Sequence, residues 1–420
     1  MSVTAFLRTR YGRGLRSRAA IEAHQHRAIA RFREQVMPRS PFYAPLAQTP
    51  LEALPRMDKA RLMENFSAIN TCGIDRDHAF DVALDAERSR DFSPMIGRVG
   101  VGLSTGTSGQ RGLFLTTPRE RRLWAAIMCG RFWPDLWRRQ RVAFFMRADN
   151  ALYRTLANPL LRFEFFDVTR GLDTHLGALA ELDPTVLIAP AGVLGVLAAA
   201  QRAGAITLRP RRVISVAETL SPDDNAQAAR AFGCRVDEVY QATEGVLAFT
   251  CPHGHLHLNE AWMRIDRDVI DPDTGAFCPV IHDFTRESLP LLNYRLNDVL
   301  VPDDRPCPCG SACQRIARIE GREDDMLWWP GTDGPRLIPA EAMRTVIANL
   351  DAAVGDYRVV QAGNDLTIWL EHPGPTSAAS LHADLRDLAH RFGATLPRVR
   401  FRDGLPADRT SKRKRIHVDR

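Results

Sequence analysis

The sequence predicts an α/β fold in two parts, a large N-terminal domain and a small, mobile C-terminal α+β domain. Between residues 118 and 245, amphipathic stretches alternate with short apolar runs, which is typical of a parallel sheet covered by helices. Residues 246–300 contain short alternating runs rich in Pro and Asp, which indicates a small antiparallel β region. Residues 336–402 have a pattern of their own, and the charged stretch EGREDD before them predicts a boundary between residues 1–323 and 324–420.

Hydrophobic periodicity gives the positions of the individual elements. Amphipathic helices are predicted at residues 17–36, 119–135, 151–162, 174–182, 191–204 and 222–232. Short apolar runs predict strands at residues 141–146, 163–168, 185–190, 212–217 and 236–241. In the C-terminal part, the same criteria predict helices at residues 339–349 and 377–392 and strands at residues 356–362, 365–370 and 397–402.

The composition excludes several classes of protein. The chain has 420 residues, 45% of them hydrophobic and 25% charged, so a disordered protein is not expected. No apolar run approaches the ~20 residues of a membrane helix, and the N-terminus lacks the apolar segment of a secretion signal, so we expect a cytoplasmic protein without a membrane partner. The net charge of +6 suits an anionic substrate such as a nucleotide or a phosphate-bearing thiol. A zinc-ribbon protein that binds nucleic acid is the alternative, but the basic residues are scattered and not interleaved with aromatic residues, so no nucleic-acid partner is expected.

Lysine is rare in this sequence. Of 56 Lys and Arg residues, only Lys59, Lys412 and Lys414 are lysines. An ammonium group is a compact charge that a guanidinium group cannot copy, so each lysine is a candidate for a specific role. Lys412 and Lys414 lie near the C-terminus, where a solvated basic tail is the alternative interpretation.

The eight cysteines are unevenly distributed. Four of them fall in two short segments, CPHGHLH (251–257) and CPCGSAC (307–313). In a cytoplasmic protein, such clustering indicates a metal site rather than disulfides, and Cys/His sets suit tetrahedral Zn²⁺. The alternative is a group of reduced cysteines that bind no metal, with histidines satisfied by hydrogen bonds.

Two motifs have the chemistry of a nucleotide site. The segment VGLSTGTSGQRG (101–112) combines glycines and hydroxyl groups that could surround phosphate oxygens, although it lacks the Gly-Lys-Ser/Thr ending of a P-loop. The segment VYQATEG (239–245) ends a predicted strand and offers an aromatic ring, a hydroxyl and a carboxylate that could hold Mg²⁺. A flexible loop and an ordinary strand end are the respective alternatives.

Three further segments complete an ordered series: LPLLNYRLNDV (289–299), IEGREDDML (319–327) and the tail DRTSKRKRIHVDR (408–420). In this order, the five motifs resemble the adenylate-forming superfamily of acyl-CoA synthetases and peptide-synthetase adenylation domains. The closest resemblance is to the phenylacetate–CoA ligase branch, including a group related to deazaflavin-coenzyme synthetases. Four shorter segments also resemble that branch: SPFYAPL (40–46), LPRMDKARLMENF (54–66), SVAETL (215–220) and CPCGSAC (307–313).

The resemblance implies an ATP- and Mg²⁺-dependent ligase, and it implies a role for each matching residue. Lys412 matches the lysine that bridges the substrate carboxylate and the α-phosphate, and Lys414 is the alternative one register away. Asp324 matches the hinge about which the C-terminal domain rotates. The residues that match the ATP and AMP site are Ser104, Thr105, Gly106, Thr107, Ser108 and Gly109 for the β- and γ-phosphates, Tyr240 for the adenine, Thr243 for the α-phosphate, Glu244 for Mg²⁺, Asp298 and Arg322 for the ribose, and Glu218.

The resemblance also favours a particular set of zinc ligands and a particular reaction. The ligand set is Cys251, His257, Cys307 and Cys309, with Cys313, His253 and His255 as competing ligands. The expected reaction activates a carboxylic acid, aryl or arylalkyl, as an acyl-adenylate and transfers it to the thiol of coenzyme A or of a carrier protein's phosphopantetheine. Amide or ester formation, or activation of an unusual acid without coenzyme A, is the alternative, and a homodimer is left open. Candidates for the acid pocket are Phe145, Arg147, Pro190 and Ala217.

Several positions depart from the superfamily's pattern. The phosphate loop usually ends in Gly-x-Pro-Lys or a similar sequence, whereas here it reads Gly109-Gln110-Arg111-Gly112, so no loop lysine is available. Gln241 replaces the usual glycine before Thr-Glu, and Leu296 and Asn297 replace the usual Thr-Gly before the aspartate. These departures leave the proposed side-chain roles intact but make a standard aryl substrate a less secure expectation.

Overall fold

The structure is a computed structural model, and it describes residues 2–11, 15–89, 93–104, 111–135, 137–147, 151–156, 160–348, 350, 356–374, 377–406 and 416–419. Among these residues, no helix is long and apolar enough to cross a membrane. The fold is the predicted mixture of helices and sheets, with a separate small C-terminal domain.

The α-helices cover most of the first 90 residues and alternate with strands after that. They are α1 (Val3–Tyr11), α2 (Arg18–Gln35), α3 (Lys59–Glu64), α4 (Phe66–Ile69), α5 (Arg76–Ser89), α6 (Pro118–Phe132), α7 (Ala151–Arg154), α8 (Leu176–Leu182), α9 (Ala191–Arg202), α10 (Pro222–Phe232), α11 (Ala340–Ala348) and α12 (Ser377–Arg391). Short 3₁₀ turns occupy Met37–Arg39, Ala44–Leu46, Leu51–Ala53, Leu172–His175 and Glu323–Asp325.

In the described part of the chain, the strands form four sheets. The first sheet consists of β1 (Met95–Ile96), β2 (Val99–Leu103) and β3 (Leu113–Thr116). The main sheet consists of β4 (Gln140–Met146), β5 (Leu161–Asp167), β6 (Val186–Ala189), β7 (Arg212–Val216), β8 (Val236–Ala242), β9 (Gly245–Thr250), β10 (Leu256–Leu258), β11 (Met263–Asp271), β12 (Ala276–Asp283), β13 (Leu291–Arg295), β14 (Asp298–Pro302) and β15 (Arg315–Arg322). The C-terminal part contains the hairpin β16 (Leu327–Trp329) and β17 (Arg336–Ile338), and a sheet of β18 (Tyr357–Ala362), β19 (Asp365–Leu370), β20 (Arg398–Asp403) and β21 (Ile416–Asp419).

Strands β4 to β8 are parallel, as their alternation with helices predicts, and lie in the order β5-β4-β6-β7-β8. Because both faces of these strands are covered, their side chains are buried in two separate cores. Helix α6 packs on one face and helices α8, α9 and α10 on the other. The antiparallel strands do not form a region apart. They continue the same sheet from β9 onwards, because β9 turns back and pairs with β8.

Local signals fix the ends of the helices around this sheet. At α6, Thr117 and Glu120 form a capping box in which each side chain accepts a hydrogen bond from the other residue's backbone. At α10, Ser221 accepts a hydrogen bond from the backbone of Asp224, and Gly233 ends the helix with φ of 68°. The predicted bounds of α10 are therefore the observed ones.

One predicted helix is wrong. Residues 151–162 were expected to be helical throughout, but α7 spans only Ala151–Arg154, and β5 already begins at Leu161. Residues 161 and 162 have an ambiguous local pattern. They form a strand because β5 pairs with β4 over seven residues.

The small C-terminal domain has its own apolar core beneath the sheet β20-β19-β18-β21, made with α11, α12 and the hairpin β16–β17. Strand β21 lies at the end of the tail and pairs in parallel with β18 through Ile416 and Val359. Hydrophobic periodicity gave no indication of this strand, because its partner is more than 50 residues away in the chain. The exact boundary at residues 323 and 324 stays a prediction.

Candidate active site

The segment that was matched to adenine, α-phosphate and Mg²⁺ lies at the end of β8 and in the turn to β9. Glu244 is buried there, and its two oxygens have different partners. Oε2 accepts a hydrogen bond from Thr243 Oγ1 at 2.8 Å, and Oε1 accepts one from the hydroxyl of Tyr294 at 2.9 Å. Tyr294 lies in the motif LPLLNYRLNDV, but no role was predicted for it. The residue of this motif for which a role was predicted is Asp298.

The residues matched to the adenine and the ribose contact one another. The hydroxyl of Tyr240 donates a hydrogen bond to Oδ2 of Asp298, at the start of β14. Across the ladder, Asp298 pairs with Arg322 of β15, and Arg322 Nε lies 3.8 Å from Asp298 Oδ1. Burial raises the pKa of Asp298, and it raises the pKa of Tyr240 well above its usual value. Tyr240 is only 9% exposed, so little of its surface is open to a nucleotide.

The base of the predicted phosphate loop is closed by two hydrogen bonds between its flanking residues. Ser104 N donates to Gly112 O at 2.7 Å, and Gly112 N donates to Ser104 Oγ at 2.8 Å. Strands β2 and β3 pair antiparallel directly behind them, so residues 105–110 connect the two strands of a hairpin. Thr105, Gly106, Thr107, Ser108 and Gly109 themselves lie outside the described residues.

Lys59 is a second residue at this loop base, and the sequence singled it out only for its rarity. Its Cδ and Cε atoms lie 3.5 Å from the position that a Cβ atom on Gly112 would occupy. The candidate catalytic residue Lys412 and its alternative Lys414 lie outside the described residues.

The acid-pocket candidates occupy different environments. Phe145 is fully buried on the side of the sheet that α8, α9 and α10 cover, where its ring stacks on Phe166 with centroids 4.7 Å apart. It therefore offers no surface to a ligand. The adjacent residue, Phe144, faces the opposite core, because successive strand residues point to opposite faces. Both faces of β4 are apolar, so the residue pattern does not indicate which core each of the two phenylalanines faces.

The other candidates near the sheet edge are Arg147, Pro190, Ala217 and Glu218. Pro190 is buried and precedes α9, whereas Arg147 and Ala217 are exposed. Ala217 has φ of 65°, an unusual value for a residue with a Cβ atom, and it turns the chain sharply after β7. Glu218 then accepts a hydrogen bond through Oε2 from the backbone N of Gly192, at 2.8 Å.

The predicted hinge residue Asp324 lies in the 3₁₀ turn Glu323–Asp325, between the last strand of the main sheet and the C-terminal hairpin. Asn297 Nδ2 donates a hydrogen bond to Asp324 Oδ1 at 3.2 Å, and Asn297 O accepts one from Glu323 N at 2.6 Å. The residue that replaces the superfamily's usual glycine thus contacts the turn directly. Arg295 forms an ion pair with Glu323 at 2.6 Å.

The four residues favoured as zinc ligands lie together. The potential ligand atoms of Cys251, His257, Cys307 and Cys309 are all within 4.8 Å of one another. Cys251 follows β9, His257 lies on β10, and the other two lie in the loop between β14 and β15. The site would therefore tie that loop to the strand that follows the Thr-Glu motif.

The surroundings of His257 fit a metal ligand. Its Nδ1 lies 3.1 Å from the backbone oxygen of Cys313, so that nitrogen carries the proton and Nε2 points towards Cys309 Sγ, 3.5 Å away. Of the competing ligands, His255 is near the group, with Nδ1 3.2 Å from Cys307 Sγ. Cys313 and His253 are not part of the four-residue group.

A curated protein and several solved structures are similar to this chain. No family model matches the chain. A phenylacetate–coenzyme A ligase from Thermus thermophilus is 32% identical over 100 residues, which make up 22% of this chain and 22% of that protein. The chain thus matches about a fifth of this curated relative's length.

The similarity to solved structures extends over the whole fold. A crystal structure of 2-hydroxyisobutyryl-CoA ligase in the postadenylation state has a TM-score of 0.66 and 16% identity, with 97% of this chain and 91% of that chain covered. The same ligase in the thioesterification state has a TM-score of 0.57 and 16% identity, with 95% and 89% covered. The chain therefore has the fold of these 2-hydroxyisobutyryl-CoA ligase structures.

Proposed function

We propose that this protein is an ATP-dependent ligase that converts a carboxylic acid into an acyl-adenylate, releases pyrophosphate, and transfers the acyl group to a thiol. The observation that carries this proposal is the contact between residues from three separate motifs at one end of the main sheet. Tyr240 and Asp298 share a hydrogen bond, Arg322 lies beside Asp298, and the Thr243–Glu244 pair is in the adjoining turn. In α/β sheets, ligands bind at such strand ends.

Each residue of this group has a chemical role in the proposed reaction. The carboxylate of Asp298 accepts hydrogen bonds from the ribose hydroxyls, and Arg322 holds that carboxylate in place. Thr243 donates to the α-phosphate, and Glu244 binds Mg²⁺, which neutralises the phosphates when bound. The loop 104–109 surrounds the β- and γ-phosphates with hydroxyl and amide donors.

The tail supplies the remaining charge in this proposal. Attack of a carboxylate on the α-phosphate brings two anions together, so a fixed positive charge must stabilise the transition state. Lys412 is proposed for that role. It belongs to residues 324–420, which we propose rotate about Asp324 after the first step, so that a thiol can approach the acyl carbonyl from the side that Lys412 leaves.

The proposed acid is aryl or arylalkyl, and an aromatic cluster near the sheet edge supports this class. The ring of Phe144 lies 4.6 Å from that of Tyr153 and 5.4 Å from that of Phe163, between ring centroids. Trp124 of α6 lies 5.7 Å from Tyr153, and its buried indole N–H has no hydrogen-bond partner among the described residues. Phe144 itself is buried in the core, whereas Trp124, Tyr153 and Phe163 are partly exposed, and we propose that the acid contacts these three rings.

Coenzyme A is the preferred acceptor, because the curated relative and the solved structures described above are named as CoA ligases. A carrier protein's phosphopantetheine presents the same thiol. A cytoplasmic location belongs to the same proposal, since all eight cysteines are free, as in a reducing compartment.

We also propose that Cys251, His257, Cys307 and Cys309 bind one structural Zn²⁺. A site with four protein ligands is closed, so it would stabilise the fold without taking part in the reaction. Strand β9 connects the two sites, because Thr243 and Glu244 precede this strand and Cys251 follows it, so the zinc site would hold the far end of the strand.

The decisive experiment is exchange of labelled pyrophosphate into ATP with a library of carboxylic acids, followed by addition of coenzyme A. We expect acid-dependent exchange, and thioester formation with the same acid. Glu244→Gln serves as the inactive control, because it removes the proposed Mg²⁺ ligand. No exchange with any acid would contradict adenylate formation, whereas exchange without a thioester would direct attention to an amine or another acceptor.

A further inference from the structure

The phosphate loop of this chain has no free cation of its own among the described residues at its base. Arg111 is the basic residue at the end of the loop, but its guanidinium forms an ion pair with Glu87 of α5. Its Nε lies 3.5 Å from the backbone oxygen of Ser104. The charge of Arg111 is therefore directed towards α5 and is partly neutralised there.

Lys59 approaches the same loop base from the opposite side. It is the first residue of α3, and its Cδ and Cε atoms pack against Gly112, where a Cβ atom would be 3.5 Å from each of them. The aliphatic part of the side chain thus follows the end of the loop. Even a Cβ atom at position 112 would be only in ordinary van der Waals contact with this stem.

The segment around Lys59 is held in place by the rest of the site. Met57 N donates to Asn293 O at 2.9 Å and Met57 O accepts from Arg295 N at 2.8 Å, so the segment pairs with β13 beside Tyr294. On the other side, Leu113 N donates to Met63 Sδ at 3.2 Å, which fastens α3 to β3. Lys59 is therefore fixed between the strand that orients Glu244 and the strand that follows the loop.

The ammonium group of Lys59 has no partner in the described part of the chain. No described residue forms a hydrogen bond or an ion pair with it, although the residue is half-buried. Burial raises the pKa of Asp298, and the positive charge of Lys59 acts in the opposite direction by lowering that pKa. The charge of Lys59 is therefore felt at the residue that we propose for the ribose. A partly buried charge without a partner is unfavourable, and an anionic ligand would remove that cost.

We propose that Lys59 is the residue that binds the β- and γ-phosphates of ATP, in the place of a loop lysine. This inference rests on the proposed function. A lysine suits the role because its ammonium is a point charge that binds phosphate from the end of a long stem. It also accounts for a lysine at this position in a chain that has three lysines among 56 Lys and Arg residues.

The test is the dissociation constant of ATP with Mg²⁺, compared with that of AMP, measured by calorimetry. Neither measurement requires the acid to be known. Three variants separate charge from packing: Lys59→Met keeps the length of the stem and removes the charge, Lys59→Arg keeps the charge, and Arg61→Met changes an exposed cation on the same helix. Thermal unfolding of each variant checks that it is folded.

We expect Lys59→Met to weaken ATP binding by roughly tenfold or more, the effect of losing one charge-assisted hydrogen bond, and to change AMP binding by less than about threefold. Lys59→Arg should lie between Lys59→Met and the wild type, and Arg61→Met should match the wild type. Equal losses for ATP and AMP, or wild-type binding of ATP by Lys59→Met, would overturn the assignment. If the wild type itself does not bind ATP, the proposed function fails instead.

Discussion

The hydroxyl of Tyr240 donates a hydrogen bond to the carboxylate of Asp298, which joins two motifs that are 58 residues apart in the chain. The carboxylate that we propose for the ribose is thereby oriented by the residue proposed for the adenine. Tyr240→Phe keeps the ring and removes only the donor. We expect the KM for ATP in pyrophosphate exchange to rise by roughly tenfold, since hydrogen bonds to charged groups contribute about 1.5–3 kcal/mol. Tyr43→Phe, which alters another buried tyrosine, is the control. An unchanged KM would mean that the hydroxyl has no part in binding ATP.

Lys412 is predicted to stabilise the transition state of adenylation. Lys412→Ala should slow acid-dependent pyrophosphate exchange by roughly two to three orders of magnitude, the effect of removing one electrostatic stabiliser. Lys414→Ala is the matched control, two residues away in the same basic tail, and should retain most activity. If the two variants exchange their behaviour, the catalytic role belongs to Lys414.

The cluster of Cys251, His257, Cys307 and Cys309 is predicted to hold about one zinc ion per chain. Cys309→Ser should lose the metal and lower the midpoint of thermal unfolding, because metal binding contributes to folding. Cys72→Ser replaces a cysteine outside the cluster and should retain the metal. The measurement is elemental analysis of freshly purified, unchelated protein, and wild type without zinc would contradict the prediction.

Asp324 is predicted to be the residue about which the C-terminal domain rotates. Proline fixes φ near −65° and removes the backbone donor, so Asp324→Pro should hold the domain in one orientation. Acid-dependent exchange should persist, and thioester formation should fall steeply. Asp324→Ala, which leaves the backbone free to rotate, should retain both activities. Unchanged thioester formation by Asp324→Pro would show that the rotation takes place elsewhere.

Glu238 of β8 should make the stability of the protein depend on pH. Burial raises the pKa of its carboxyl to about 7 from the usual value of about 4.5. Because the pKa is raised in the folded state, the folded protein binds this proton more tightly than the unfolded chain does. Proton binding by Glu238 therefore stabilises the folded protein fully below pH 4.5, and this contribution is lost as the pH rises through 7.

Glu238→Gln removes this titration. Between pH 5 and pH 8, denaturant unfolding should show the free energy of unfolding of the wild type falling relative to the variant, by at most about 3 kcal/mol, at 1.36 kcal/mol per pKa unit. A difference between the two proteins that does not change with pH would show that Glu238 does not titrate in this range.

Local patterns in the sequence determined the elements whose signals are local. Helix α10 was predicted with its observed bounds, because Ser221, Pro222 and Gly233 specify its start and end within a few residues. The alternation of helices and apolar runs determined the parallel part of the sheet, because each such strand must be covered on both faces. The motif order identified Tyr240 and Asp298 as parts of one site.

Tertiary structure decided what depends on distant partners. Residues 161 and 162 belong to β5 because β4 offers unpaired backbone groups to them, and β21 forms because β18 offers such groups to the end of the tail. Which of Phe144 and Phe145 faces α6 depended on the register of a strand that is apolar on both faces. Likewise, the approach of Lys59 to Gly112 follows from the pairing of Met57 with β13, a contact between residues more than 230 positions apart that no local pattern encodes.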